Sequence, residues 1–169
     1  IEVINRAVSS EINPVDFWIC DECNVISTCD TEWINNSRFS SDDRKWRQIK
    51  IETISVDSLV KLYGIPEHIK IDVEGYEYNA LKSMTKNYSQ VRFEWAEEKQ
   101  HEMILSIEYL KNLGYSGFGF TLGDAFDAIP EFIIDANDMT MWIRENLDAN
   151  RKDKWGMIFA FNEGDFYVN

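Results

Sequence analysis

"HIKIDVEGYEYNALKSM", residues 68–84, decides how the chain folds. Ile69, Ile71 and Val73 alternate with Lys70, Asp72 and Glu74, so a strand here has one apolar face and one charged face. Gly75 ends the strand, and Tyr76, Ala80, Leu81 and Met84 then fall along one side of a helix. A strand that runs directly into a helix is the start of a βα unit.

The pattern continues outward from that stretch. Downstream, "QVRFEWA" reads as a strand, "EKQHEMILSIEYLKNLG" as a helix with Met103, Ile104, Ile107 and Leu110 inward, and "SGFGFTL" as a strand with Phe118, Phe120 and Leu122 alternating. "NDMTMWIRENLDAN" reads as a helix, and "WGMIFAFN" as a strand apolar enough for burial on both faces. Upstream, "SVDSLVKLYG" has Ser55 or Asp57 as N-cap, Leu59, Leu62 and Tyr63 as inner face and Gly64 as terminator, with Pro66 barring continuation. "IEVINRAVS", "VDFWIC" and "QIKIETISV" read as strands, and residues 24–45 as a polar loop. Alternating strands and helices predict an α/β fold, doubly wound, with a mostly parallel sheet covered on both sides.

At 169 residues, without repeats or a Pro/Gly-rich linker, one domain is expected. The composition, 44% hydrophobic and 14% aromatic, is that of a globular chain. A net charge of −13 disfavours nucleic acid and anionic membrane surfaces as partners, because the basic residues are scattered. Cys20, Cys23 and Cys29 all lie in "CDECNVISTC". An odd count without a secretory segment favours a reducing, cytoplasmic compartment, and no second pair completes a zinc site, so the three read as ordinary thiols on a surface excursion. The chain opens at Ile1 with a strand pattern under way and reads as part of a longer protein.

In open α/β sheets ligands bind beyond the carboxyl ends of the strands. Residues two apart on a strand share a face about 6.5–7 Å apart, so Asp72 and Glu74 are candidates to point into that crevice. Buried unpaired carboxylates are costly, whereas carboxylates at a wet strand end are not. The rival reading pairs Asp72 with Lys70 and uses Glu74 to cap the helix. Glu94, in "RFEWAEE", either converges on the same crevice or neutralises Arg92. The six tryptophans are scattered and read as packing residues, with Trp95, beside Glu94, kept as a candidate acceptor contact.

The stretch "IKIDVEGYEYNALKSM" resembles the signature of the FkbM family of S-adenosylmethionine-dependent methyltransferases, Lys-Ile-Asp-Val-Glu-Gly-x-Glu followed by a helix. "EVINRAVSS", "IKIETISVDSLVKLYGIPEHIKIDVEGYE" and "VRFEWAEE" are similar to neighbouring elements of that family, so the likeness spans nearly the whole chain. It implies a class I (Rossmann-like) fold with strand order 3-2-1-4-5-7-6 and an antiparallel last strand. The first two strands and their glycine loop have no counterpart here, which implies a gap in the sheet and roughly 60–90 residues ahead of Ile1. It also implies S-adenosylmethionine as cofactor, with Asn5, Arg6, Ala7 and Val8 near the adenine and Asp72 near the methionine end. The implied reaction is O-methylation of a sugar, glycan or small-metabolite hydroxyl. Asp72 or Glu74 would act as base, Lys70 would tune the pair and Glu94 would stand close by; no metal ligand is assigned, and a divalent metal held by the two carboxylates is the alternative to a base acting alone. The alternatives are a nucleotide-sugar glycosyltransferase whose Asp-x-Glu holds a metal, and a non-catalytic binding module.

Overall fold

The computed structural model describes residues 1–40, 43–124, 129–130 and 132–164. Nine strands and five α-helices follow one another along the described residues. The first are β1 (Ala7–Val8), β2 (Val15–Cys20), α1 (Thr31–Asn36), β3 (Trp46–Ile51), β4 (Thr53–Ile54) and α2 (Val56–Tyr63). Then come β5 (His68–Ile71), α3 (Glu77–Leu81), β6 (Gln90–Ala96), α4 (Gln100–Asn112), β7 (Gly117–Leu122), β8 (Ile133–Ile134), α5 (Ala136–Asn146) and β9 (Trp155–Phe161).

The main sheet has the order β5-β6-β9-β7-β8. Only β5 and β6 pair in parallel; β9 inserts antiparallel between β6 and β7, and β8 is antiparallel to β7. The expected mostly parallel sheet is therefore replaced by a mixed one, because the final strand returns through the middle. The expected double winding is also absent from the described residues. Ile71, Phe93, Trp95, Phe118, Phe120, Ile158 and Ala160 share one face, and the buried apolar residues of α3, α4 and α5 all join that same core. The opposite face carries its own small cluster, Met157, Phe159 and Phe161.

Two smaller sheets flank this body. β1 pairs in parallel with β4, and β2 with β3 as an antiparallel hairpin. The expected strand over residues 1–9 is reduced to Ala7–Val8, and "QIKIETISV" divides into β3 and β4, which serve different partners. Residues 24–45 are no bare loop: they hold a 3-10 turn at Asn24–Ile26 and α1, with Ile26 and Trp33 buried, while residues 41–42 lie outside the described residues. Cys20 is fully buried at the end of β2, contrary to a surface excursion.

The helix signals hold better. Ser55 caps α2 by accepting from the Ser58 N–H at 3.0 Å, and Gly64 ends it at φ 92°. Its inner face is Val56, aided by Val60; Leu62 and Tyr63 face solvent, since a short helix at a sheet edge buries only one narrow stripe. Leu122, at the open end of β7, is likewise exposed. β5 lies at the edge of the five-stranded sheet, not at its centre. A cleft of about 450 Å³ opens between that edge, α2 and Val8 of β1. No helix among the described residues is long and apolar enough to cross a membrane.

The insertion of β9 depends on Gly156, which is opposed by Trp95 on one side and Leu122 on the other. A Cβ there would fall on the carbonyl oxygen of Thr121, a backbone atom that no rotamer change can move. Gly156→Ala should cost about 3 kcal/mol or more in urea unfolding. Gly64→Ala, left-handed but with open space around it, should cost only about 1–2 kcal/mol.

Candidate active site

Strand register brings the acidic residues together. Lys70 lies opposite Arg92 on the parallel pair β5–β6, so two residues further on Asp72 comes opposite Glu94 on the same face. The ladder ends at Ile71, and the chain then turns through two successive left-handed residues, Glu74 at φ 54° and Gly75 at φ 88°. For a glutamate that conformation costs on the order of 1–2 kcal/mol, so the surroundings must impose it.

Three contacts do so. Glu77 Oε1 accepts the N–H groups of Val73 at 3.0 Å and Gly75 at 3.2 Å, gathering the turn around one carboxylate. Thr28 Oγ1 donates to the Glu74 carbonyl at 2.7 Å and accepts from the Asp30 N–H at 2.8 Å. Trp33 packs against Gly75, so close that a Cβ there would lie 2.9 Å from the indole ring. The cap expected of Glu74 is not made, since α3 has no side-chain cap; Glu77 gathers the turn ahead of the helix instead, and Glu74 lines the second cleft.

Oxygens of Asp72, Glu74 and Glu94 lie within 4.8 Å of one another, close enough to share a cation. Asp72 is exposed and pairs with Lys70 at 3.0 Å, while Lys70 also binds Asp124. Lys70 therefore holds Asp72 from the outer side. Glu94, 7% exposed, pairs with Arg38 at 2.9 Å and not with Arg92. Arg38 is fixed in turn: its backbone N–H donates to Glu98 at 2.8 Å, and its guanidinium lies over the rings of Trp33, Phe39 and Trp155.

Burial, aided by neighbouring carboxylates, pushes these acids up. Glu74 rises to about 7, through desolvation and then the charges of Asp72 and Glu77, with Arg38 pulling the other way. Glu94 rises to about 8 through desolvation and the charges of Glu74 and Glu77, again opposed by Arg38. Glu77, fully enclosed, rises to about 7 through desolvation, against the lowering effect of its backbone hydrogen bonds. Oε2 of Glu74 is enclosed and makes no hydrogen bond of ordinary geometry, although the Trp33 side chain lies near enough to pull the carboxyl down.

Two clefts meet at this point. The first lies along the β5 edge, and the second, of about 260 Å³, is walled by Phe17 and Ile51 of the β2–β3 hairpin; both are lined by Val8, Asp72 and Val73. Arg6, Ala7 and Glu74 line the second cleft, whereas Asn5 lines neither. Trp95 is no acceptor contact: it is buried and its Nε1 donates to the Thr121 carbonyl at 3.2 Å. Sequence reasoning missed Arg38, Trp33 and Thr28, which arrive from the stretch taken as loop. Glu77 carried a signal, as the second acid of Glu-Gly-x-Glu. Its function in holding the turn becomes visible only with the left-handed backbone.

A family model described as the methyltransferase FkbM domain matches residues 1–145. No curated protein and no solved structure matches the chain.

Each of the three raised carboxyls binds its proton more tightly in the folded chain than in the unfolded one, where it titrates near 4.5. The stability this supplies is complete below pH 4.5 and is lost as pH climbs through about 7 to 8. Glu77→Gln keeps the acceptor oxygen and removes the charge, so it should stabilise the protein by on the order of 2 kcal/mol at pH 8 and leave it unchanged at pH 4. Arg38→Ala strips the guanidinium from a buried pair and should cost about 3–5 kcal/mol at pH 8. The loss should shrink at pH 5.5, where Glu94 carries a proton. Denaturant titrations at these pH values check both.

Proposed function

The chain belongs to the FkbM methyltransferase domain family, and on that basis we propose that it moves a methyl group from S-adenosylmethionine to a hydroxyl of a sugar, glycan or small metabolite. The observation that carries this reading is the position of Asp72 and Val73 on the wall shared by two clefts, with Glu74 beside them in the second. Such a wall separates a donor from an acceptor while keeping both within reach of the same carboxylates. The order β5-β6-β9-β7 with β9 antiparallel also corresponds to the 4-5-7-6 portion of the class I order, which supports the finer fold assignment.

The residues present suit the cofactor. An enclosed carboxylate oxygen on Glu74, close to the ionised groups around it, is complementary to a sulfonium cation. Val8, on the wall of the first cleft, offers an apolar edge for the adenine, and Asp72, shared by both clefts, lies at the cation's end; Arg6 is turned to the Thr53 carbonyl. When bound, S-adenosylmethionine supplies an electrophilic methyl group, and an O–C bond forms as the C–S bond breaks. The protein's part is to align the two reactants and take the hydroxyl proton. Glu74 fits that second task, since a carboxyl lifted to about 7 is a stronger base than an exposed one and is still ionised at mildly alkaline pH. Lys70 keeps Asp72 in place, and Arg38 keeps Glu94 from adding a further uncompensated charge.

Methyl transfer should rise with pH through about 7 and level off above it, because the base must be ionised. Glu74→Gln should lower the rate by about 10²–10⁴-fold and abolish that rise, whereas Asp72→Asn should weaken cofactor binding as well. The check is transfer of labelled methyl to a hydroxyl acceptor, alongside calorimetric binding of S-adenosylmethionine. Near wild-type turnover in both variants would exclude the assigned base.

A further inference from the structure

The second cleft is chemically one-sided. Its wall is built by Phe17, Val25, Ile51 and Val73, and its carboxylate end by Asp72 and Glu74. The remaining polar groups along it are already engaged. Ser27 Oγ accepts the Cys20 N–H at 3.2 Å, the Tyr76 hydroxyl is 3.3 Å from Ser9 Oγ, and Arg6 donates to the Thr53 carbonyl at 3.4 Å. Cys29 is held as a neutral thiol, raised to about 11 by burial and then by Asp16 and Asp30. A ligand therefore finds apolar surface along most of the cleft and open hydrogen-bond acceptors at one end.

Resting on the proposed methyl transfer, we infer that this cleft is the acceptor site and that it takes a single neutral, largely apolar ring bearing one reactive hydroxyl. Three observations select that class. The volume, about 260 Å³, is at the lower end of ligand cavities and suits one small ring system, not an oligosaccharide. A free hexose would desolvate several hydroxyls against Phe17, Val25 and Ile51, each without a partner. A phosphate would meet two carboxylates, Asp72 and Glu74, against the one guanidinium of Arg6 along the cleft. A neutral ring lies along the apolar wall and presents its hydroxyl to Glu74.

Matched probes test this by equilibrium dialysis against the protein at pH 7.5: 2-naphthol, 2-naphthyl phosphate and D-glucose. The naphthol should bind at least roughly tenfold tighter than either of the others. Val25→Trp, at an exposed position where folding tolerates bulk, fills this cleft and should weaken naphthol binding by about tenfold or more. Leu59→Trp fills only the first cleft and should leave it within about twofold. Equal or tighter binding of the phosphate or the hexose, or loss of naphthol binding in Leu59→Trp but not Val25→Trp, overturns the inference. If the naphthol results hold and no alcohol is ever methylated, the proposed reaction fails and the cleft assignment stands. If a phosphorylated sugar is methylated at an unchanged rate by Val25→Trp, the reverse is true.

Discussion

Arg38 against the carboxylates of Glu74 and Glu94 is the interaction on which the site depends. These acids, with Glu77 beside them, are drawn into a region where water is scarce; the positive charge reaching Glu74 and Glu94 comes chiefly from a guanidinium contributed by a distant segment, while Glu77 is held by backbone N–H groups. Taking such groups out of water costs several kcal/mol for each ion unless they are paired or protonated. The protein uses both remedies. Arg38 is paired to Glu94 and enclosed by Trp33, Phe39 and Trp155, while the acids themselves shift toward their neutral forms.

That arrangement explains why residues 24–40 are ordered although their sequence is polar. Thr28 fastens the segment to the Glu74 carbonyl, Trp33 covers Gly75, and Asp30 caps α1 while its carboxylate binds Lys99 at 2.6 Å. Each contact joins the segment to the turn after β5 or to the start of α4. The turn is strained at Glu74, and the segment supplies the contacts that hold it there.

How much of this was legible in sequence depended on distance along the chain. The alternation of Ile69, Ile71 and Val73, the Ser55 cap and the Gly64 stop are local signals, and each produced the expected element. The convergence of Asp72 with Glu94 also follows from the pairing of neighbouring parallel strands, one step beyond local pattern. The middle position of β9 has no local signature, since an apolar strand reads alike in either direction; the alternation of elements predicted a mostly parallel sheet, and only the family resemblance implied an antiparallel last strand between two others. Arg38 could not be found either: 56 residues separate it from Glu94, and an arginine in a polar stretch looks like any solvated one. Trp95 was placed by its proximity in sequence to Glu94, and the strand turns it into the core; Asn5, placed by the family resemblance, lines neither cleft.

The raised carboxyls have one more consequence. At neutral pH the cluster is a partly filled proton store, and a cation arriving beside it favours the ionised forms. Occupancy by such a cation is then an exchange reaction that expels hydrogen ions into the medium. The heat of association will depend on which buffer absorbs them, and a drop in surrounding pH will act as a competitor for the same oxygens.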